Sequence, residues 1–330
     1  MSATQPPAKR LTEGRGERVA IALSVLVLLI LIVGPFARTA LVRAGPDPDE
    51  DGLLTERERT LGTDPWDADT DGDAIPDGIE VDMRRYDLNY GDPPTIDLDL
   101  DNDGQSDADP FVRDLFVEVD HMEDYTLSPL TVGLVEKAFR ESPVGRIALH
   151  VDQDAGSALP SMPCFGLAAE TRATFVRLKG ENFDASRESV FHYAVLANRV
   201  PLIDSCKDDV LGQALGLDTD FVIAFARLRH DGDSRIAAVF MHELGHNLGL
   251  THEVYKGIDS SCTHPGYACY DPDLYANYES VMNYHFQRAF GSSSHWRLGY
   301  SDGAHGTDRY GNPDFDDWGN LVFASIVMRF

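Results

Sequence analysis

Residues 242–252 of the chain read HELGHNLGLTH. Histidine is the commonest side-chain metal ligand, and two histidines four apart on a helix project from one face. Around them Ile236, Val239, Phe240 and Leu244 recur at helical spacing, which predicts a helix over 234–249 with Ser234 as its N-cap. His242 and His246 can then hold one metal ion together. Gly249 lets the chain leave the helix in a conformation other residues resist, and the turn brings His252 round as a third ligand. Three protein ligands leave one tetrahedral position open, the mark of a catalytic rather than a structural zinc. Zinc lowers the pKa of a water in that position to about 7, and Glu243 stands where it can take the proton as general base and pass it to a leaving amine. Chance would set five fixed residues at these spacings in on the order of one chain in 10⁴. The chemistry is hydrolysis, with the peptide bonds of an extracellular protein or peptide as substrate.

This string fills HExxHxxGxxH at every required position and resembles the metzincin clan of zinc endopeptidases. The resemblance implies a second hallmark, a methionine turn, and SVMNY (280–284) supplies Met282 as an apolar floor beneath the ligands. Tyr284 sits at the offset from which astacin-like and serralysin-like members bring a hydroxyl to the zinc or the oxyanion. The flanks FVEVDHM (116–122), RIALHVD (146–152), FHYAVLANR (191–199), DFVIAFA (220–226) and SVMNYHFQ (280–287) resemble one set of little-characterised microbial metzincin-like proteins, over about residues 113–325. Two departures, Glu253 where that set carries glycines and a short tail after Tyr300, bear on the shape of the substrate cleft and not on the zinc chemistry.

The elements that must position these residues alternate: strand 115–120, helix 129–141, strand 146–152, helix 186–198, strand 220–226, helix 234–249. Such alternation predicts an α/β (α+β) domain with a mostly parallel sheet. The metzincin resemblance adds a twisted sheet carrying the active-site helix, an irregular C-terminal subdomain, and a substrate lying extended in the cleft against an edge strand.

Composition isolates a second region. The net charge of -27 excludes nucleic acid and anionic membrane surfaces as partners. The 39 Asp far outnumber the 16 Glu, and many lie between residues 47 and 109. In DPDEDGLLTERE, Asp47, Asp49, Asp51, Gly52, Thr55 and Glu58 hold positions 1, 3, 5, 6, 9 and 12 of a calcium loop. Asp69, Asp71, Asp73, Asp77 and Glu80 repeat the pattern, with Ala74 straining the turn where glycine belongs. A third run holds Asp99, Asp101, Asp103 and Asp107, but its twelfth position is Pro110, so Asp109 would have to substitute. Alternate carboxylates in a tight loop converge on one hard cation. The phrases GTDPWDADTDGD and IPDGIEVD resemble bacterial thrombospondin type 3 repeats, which implies structural calcium in place of much of an apolar core.

Residues 1–18 read as a basic, disordered cytoplasmic tail, and the uncharged run 19–37 as a membrane anchor or a cleaved signal peptide. Repeats over 45–112 and a catalytic domain over 113–330 would follow outside the cell, as a monomer tethered to the membrane or secreted. Four cysteines in an exported chain predict two disulfides with three possible pairings; Cys262 with Cys269 closes a short loop and leaves Cys164 with Cys206. A reading from another class is a calcium-dependent adhesion or structural protein with an inactive zinc domain, against which the intact Glu243 and Tyr284 argue.

Overall fold

The computed structural model describes residues 45–83, 96–123, 125–153, 158–165, 168–203, 205–215, 219–289 and 298–323. The apolar run 19–37 and the tail before it lie outside them. Among the described residues no helix is long and apolar enough to cross a membrane.

In chain order, helices α1 (Thr55–Leu61) and α2 (Asp77–Asp82) close the first two acidic loops. Then come β1 (Arg113–Met122), α3 (Pro129–Arg140), β2 (Ile147–Asp152), β3 (Ala158–Leu159) and α4 (Ala168–Asn182). Strands β4 (Phe191–Ala197), β5 (Val200–Ile203), β6 (Ser205–Val210), β7 (Gly212–Ala214) and β8 (Asp220–Ala224) follow, and helices α5 (Phe225–Leu228), α6 (Asp233–Asn247) and α7 (Tyr284–Ala289) complete the order. The main sheet runs β2-β1-β4-β8-β7, with β3 also paired to β1 and a separate β5-β6 ribbon. The β1 contacts with β2, β3 and β4 are parallel, as is β4 with β8; β7 alone runs antiparallel, at the edge. The architecture is therefore mixed α/β around a mostly parallel sheet, as the alternation of elements predicts.

One expectation fails. Residues 186–198 do not form a helix: Ala185–Ser189 is a short 3-10 turn and FHYAVLA (191–197) is β4. All seven residues of β4 are buried. A parallel strand covered on both faces reads as a continuous apolar run, which periodicity alone does not separate from a buried helix. Conversely, α4 escapes sequence reading because its polar surface obscures a short inner stripe, where Thr171, Phe175 and Leu178 are buried.

Helix α6 lies in the main core, its residues from Ile236 to Gly245 all buried. Its N-cap is Gly232, at φ 88°, and not Ser234. Asp233 in the first turn instead accepts the Thr131 hydroxyl of α3 at 2.9 Å and is also bonded to Ser128. Below α6, Phe139 meets Trp318 edge to face at 5.5 Å, and Tyr300 packs on Trp318 at 4.9 Å. A second apolar cluster joins Ile75, Ile79, Ile96 and Leu98 of the acidic region to Phe116, Val190 and Phe191 at the sheet. The acidic region thus shares a core with the sheet, which the repeat pattern does not suggest.

Candidate metal centre

His242 and His246 project from α6 with their Nε2 atoms 3.2 Å apart. The Nδ1 of His242 lies 2.9 Å from the Val281 carbonyl, that of His246 2.7 Å from Leu250 O, and that of His252 2.7 Å from Ile258 O. A carbonyl oxygen can only accept, so each Nδ1 carries a proton and Nε2 is the nitrogen left to meet a ligand. Histidine metal ligands are oriented by this kind of outer hydrogen bond. Two Nε2 atoms 3.2 Å apart call for a positive charge between them, a proton or a divalent metal with an affinity for imidazole.

The loop after α6 supplies a carboxylate. Asp259 Oδ1 is 3.0 Å from His242 Nε2, and Oδ2 is 3.2 Å from His246 Nε2. His242, His246 and Asp259 form a group able to hold a metal ion. Burial opposes charge on His242, but the Asp259 carboxylate outweighs it and lifts the ring to about 9, so the spot favours a positive charge. His252 is an exposed residue and is not among those lining the cavity at this centre.

That cavity, of about 450 Å³, is bounded by Gly212, Gln213 and Ala214 of edge strand β7 and by Glu243, Asn247 and Tyr284. Glu243 is buried, which raises its pKa against the pull of the two histidines, and it accepts a hydrogen bond from the Ala214 backbone. A Cβ at Gly212 would stand 2.4 Å from Glu243 Oε1, so only glycine leaves the carboxylate its place. Tyr284 stacks on His242 at 5.6 Å and its hydroxyl bonds to Asp259; burial holds it protonated. Met282 is fully buried, and its sulfur would lie 2.6 Å from a Cβ on Gly245, placing it under the turn of α6 between the two histidines. The turn itself hangs from buried Asp317, which accepts from Tyr278 at 2.7 Å, Ser280 at 2.5 Å and Ser301 N at 3.0 Å. Gly249, at φ 88°, ends the helix as expected, and Leu250 N returns to Gly245 O at 2.9 Å. Cys262 and Cys269 form the expected short-loop disulfide. Cys164 is also disulfide-bonded, while the side chain of Cys206 lies outside what is described. Asp259, Gly212 and Asp317 were not legible in the sequence: they lie outside the motif, and nothing local ties them to it.

The acidic loops repeat in three dimensions. Asp69 Oδ2 accepts Ala74 N at 2.8 Å and Asp99 Oδ2 accepts Gly104 N at 2.8 Å; Asp77 accepts Thr70 N at 2.8 Å and Asp107 accepts Leu100 N at 2.7 Å. In the first loop Asp47 accepts Glu50 N at 3.0 Å, while the Thr55 hydroxyl donates to Pro46 O. Asp47, Asp49 and Asp51 converge, as do Asp69, Asp71 and Asp73. Glu58 and Glu80, at the twelfth positions, are fully buried, and none of their four carboxylate oxygens has a protein partner. Burial first, then the surrounding aspartates, pushes Glu58 to about 7 and Glu80 to about 11. A carboxylate buried in this way demands a cation or a proton. A residue outside the repeats joins the second loop: Asp114 of β1 groups with Asp73 and Glu80, and its N–H donates to Asp73 at 2.5 Å. The third run differs. Asp101, Asp103 and Asp109 are exposed, and Asp109 accepts Phe111 N at 3.1 Å.

No protein-family model matches the chain, and no curated protein matches it. Among solved structures it is similar to the crystal structure of archaemetzincin from Methanopyrus kandleri, with 17% identity, 52% of this chain and 86% of that chain covered, and a TM-score of 0.30. At that score the likeness carries no argument; the chemistry below stands on this chain's own residues.

Proposed function

We propose that the protein is a zinc-dependent endopeptidase with Glu243 as general base. The observation that carries the proposal is the juxtaposition of a buried carboxylate with two oriented imidazoles in a cavity bounded by a sheet edge. His242 and His246 would hold the metal with a third ligand from the segment 252–259, where the motif places His252. When bound, zinc supplies Lewis acidity toward water and the scissile carbonyl. Glu243, pinned by Ala214 N–H and confined by Gly212, takes the water's proton and delivers it to the leaving amine. Tyr284, protonated across the working pH range, stands beside His242 and would turn its hydroxyl from Asp259 to the developing oxyanion. A peptide lying extended would add a strand at β7, whose residues line the cavity.

The decisive experiment is casein cleavage by the full chain. Glu243→Gln should lower the rate by about 10²–10⁴-fold while zinc content stays unchanged, and a zinc chelator should abolish cleavage until zinc is returned. Zinc-loaded protein that cuts nothing in a broad peptide library would instead favour an adhesion protein with an inactive zinc domain.

The first two acidic loops bind calcium in this reading, supported by the partnerless buried Glu58 and Glu80. Export through the run 19–37 accords with the disulfide and with calcium at extracellular levels. Alkaline extraction of membranes carrying the full chain distinguishes an uncleaved anchor, which stays with the pellet, from a secreted form.

A further inference from the structure

We propose that Asp259, and not His252, is the third metal ligand, and that His252 is the residue that positions it. The proposal rests on the zinc reading above and concerns the same centre.

Three ligand atoms on a tetrahedral zinc, each about 2.0–2.1 Å from the ion, lie about 3.3 Å from one another. His242 Nε2 and His246 Nε2 are 3.2 Å apart, with Asp259 Oδ1 3.0 Å from the first and Oδ2 3.2 Å from the second, so the carboxylate stands across both nitrogens, close enough for one of its oxygens to complete a three-ligand set. Asp259 Oδ1 is buried and faces His242 Nε2 at 3.0 Å, where a cation shared by the two would replace the proton that pairs them in its absence. The backbone is committed to this placement: Asp259 adopts φ +55°, rare for a residue with a side chain, and its N–H bonds to Met282 O at 3.2 Å. The same turn thus fixes His242 through Val281 O and Asp259 through Met282 O. His252 is set apart from the other two histidines by its exposure and its absence from the cavity lining, while its Nδ1 bond to Ile258 O, the carbonyl immediately before Asp259, braces the loop that carries the carboxylate. The set is two imidazoles and one carboxylate, with a fourth position left for water.

Zinc affinity, by competition with a chromophoric chelator, and the visible spectrum of the cobalt(II)-substituted protein test this on the full chain. Asp259→Asn keeps the volume and should weaken zinc by more than about 100-fold, beyond the 10–100-fold typical of an orienting partner, and should shift the cobalt bands. His252→Gln should weaken zinc within that smaller range and leave the cobalt bands in place, as loss of a brace requires. Near wild-type affinity in Asp259→Asn, or a cobalt spectrum in His252→Gln that loses a ligand's signature, overturns the assignment while leaving the zinc reading intact. A wild-type chain that binds no zinc sinks both.

Discussion

A methyl group on Gly212 would stand 2.4 Å from the carboxylate of Glu243, which the Ala214 backbone hydrogen bond holds in place. Gly212→Ala should therefore move the base by a fraction of an ångström while leaving the metal ligands untouched. Misplacement on that scale costs on the order of 10²-fold in rate. The expected result is a fall of that size in kcat with zinc content unchanged by atomic absorption; unaltered kcat would refute the confinement. His192 on β4 is neutral for a simpler reason: burial lowers its pKa from 6.5 to about 4. The unfolded chain takes up a proton below 6.5 that the folded chain refuses until about 4, so stability falls as pH drops through that window. The loss by pH 4 is about 3 kcal/mol. His192→Gln should flatten the urea midpoint between pH 6.5 and 4, and a slope equal to wild type would exclude the histidine as its source. At this scale His242, Glu243 and His246 are legible in the sequence, because helical spacing alone puts them together. Gly212 and Asp259 are not, because each meets the site only through the tertiary fold.

Elements repeat the lesson in backbone terms. The sixth positions of the three acidic loops are Gly52 at φ 100°, Ala74 at φ 74° and Gly104 at φ 88°. All three need the left-handed conformation, and only Ala74 bears a Cβ there, at a cost of roughly 1–2 kcal/mol. The hydrogen bond from Ala74 N to Asp69 Oδ2 at 2.8 Å holds the turn in this conformation. Ala74→Gly should raise the unfolding free energy by about 1 kcal/mol, less the entropy glycine adds to the unfolded chain. Denaturant titration checks it, and a lower midpoint would argue that the alanine is not strained. The loops could be read from sequence because their ligands alternate within a dozen residues. Strand β4 could not, because a strand buried on both faces loses the period that identifies it.

Across the whole molecule, the second loop and the sheet are joined by Asp114. Calcium held by Asp73, Glu80 and Asp114 would stabilise both at once. At a free concentration near 100 times Kd a single site adds about 2.7 kcal/mol, worth several degrees in a domain of this size. Calcium raised to about 100 times its measured Kd should raise Tm by that amount at constant zinc, and Asp114→Asn should blunt the rise. A calcium-independent Tm would refute the cation assignment. The sequence pattern separates an acidic region from a catalytic one at residue 112, and the alternation of elements foretells a mostly parallel sheet. What it conceals is that the two regions share side chains, since neither Asp114 nor Phe116 belongs to the repeat.

Phe116 and Phe191 are fully buried, and they are covered by Ile75, Ile79, Ile96 and Leu98 from the acidic region. A fragment beginning at residue 113 would carry every residue of the candidate metal centre and yet lose the apolar cover of two aromatic rings on β1 and β4, leaving Phe116 with His150 and Phe191 with Arg187. Such a fragment should aggregate or demand detergent. The practical unit of this chain for expression begins at the first acidic loop.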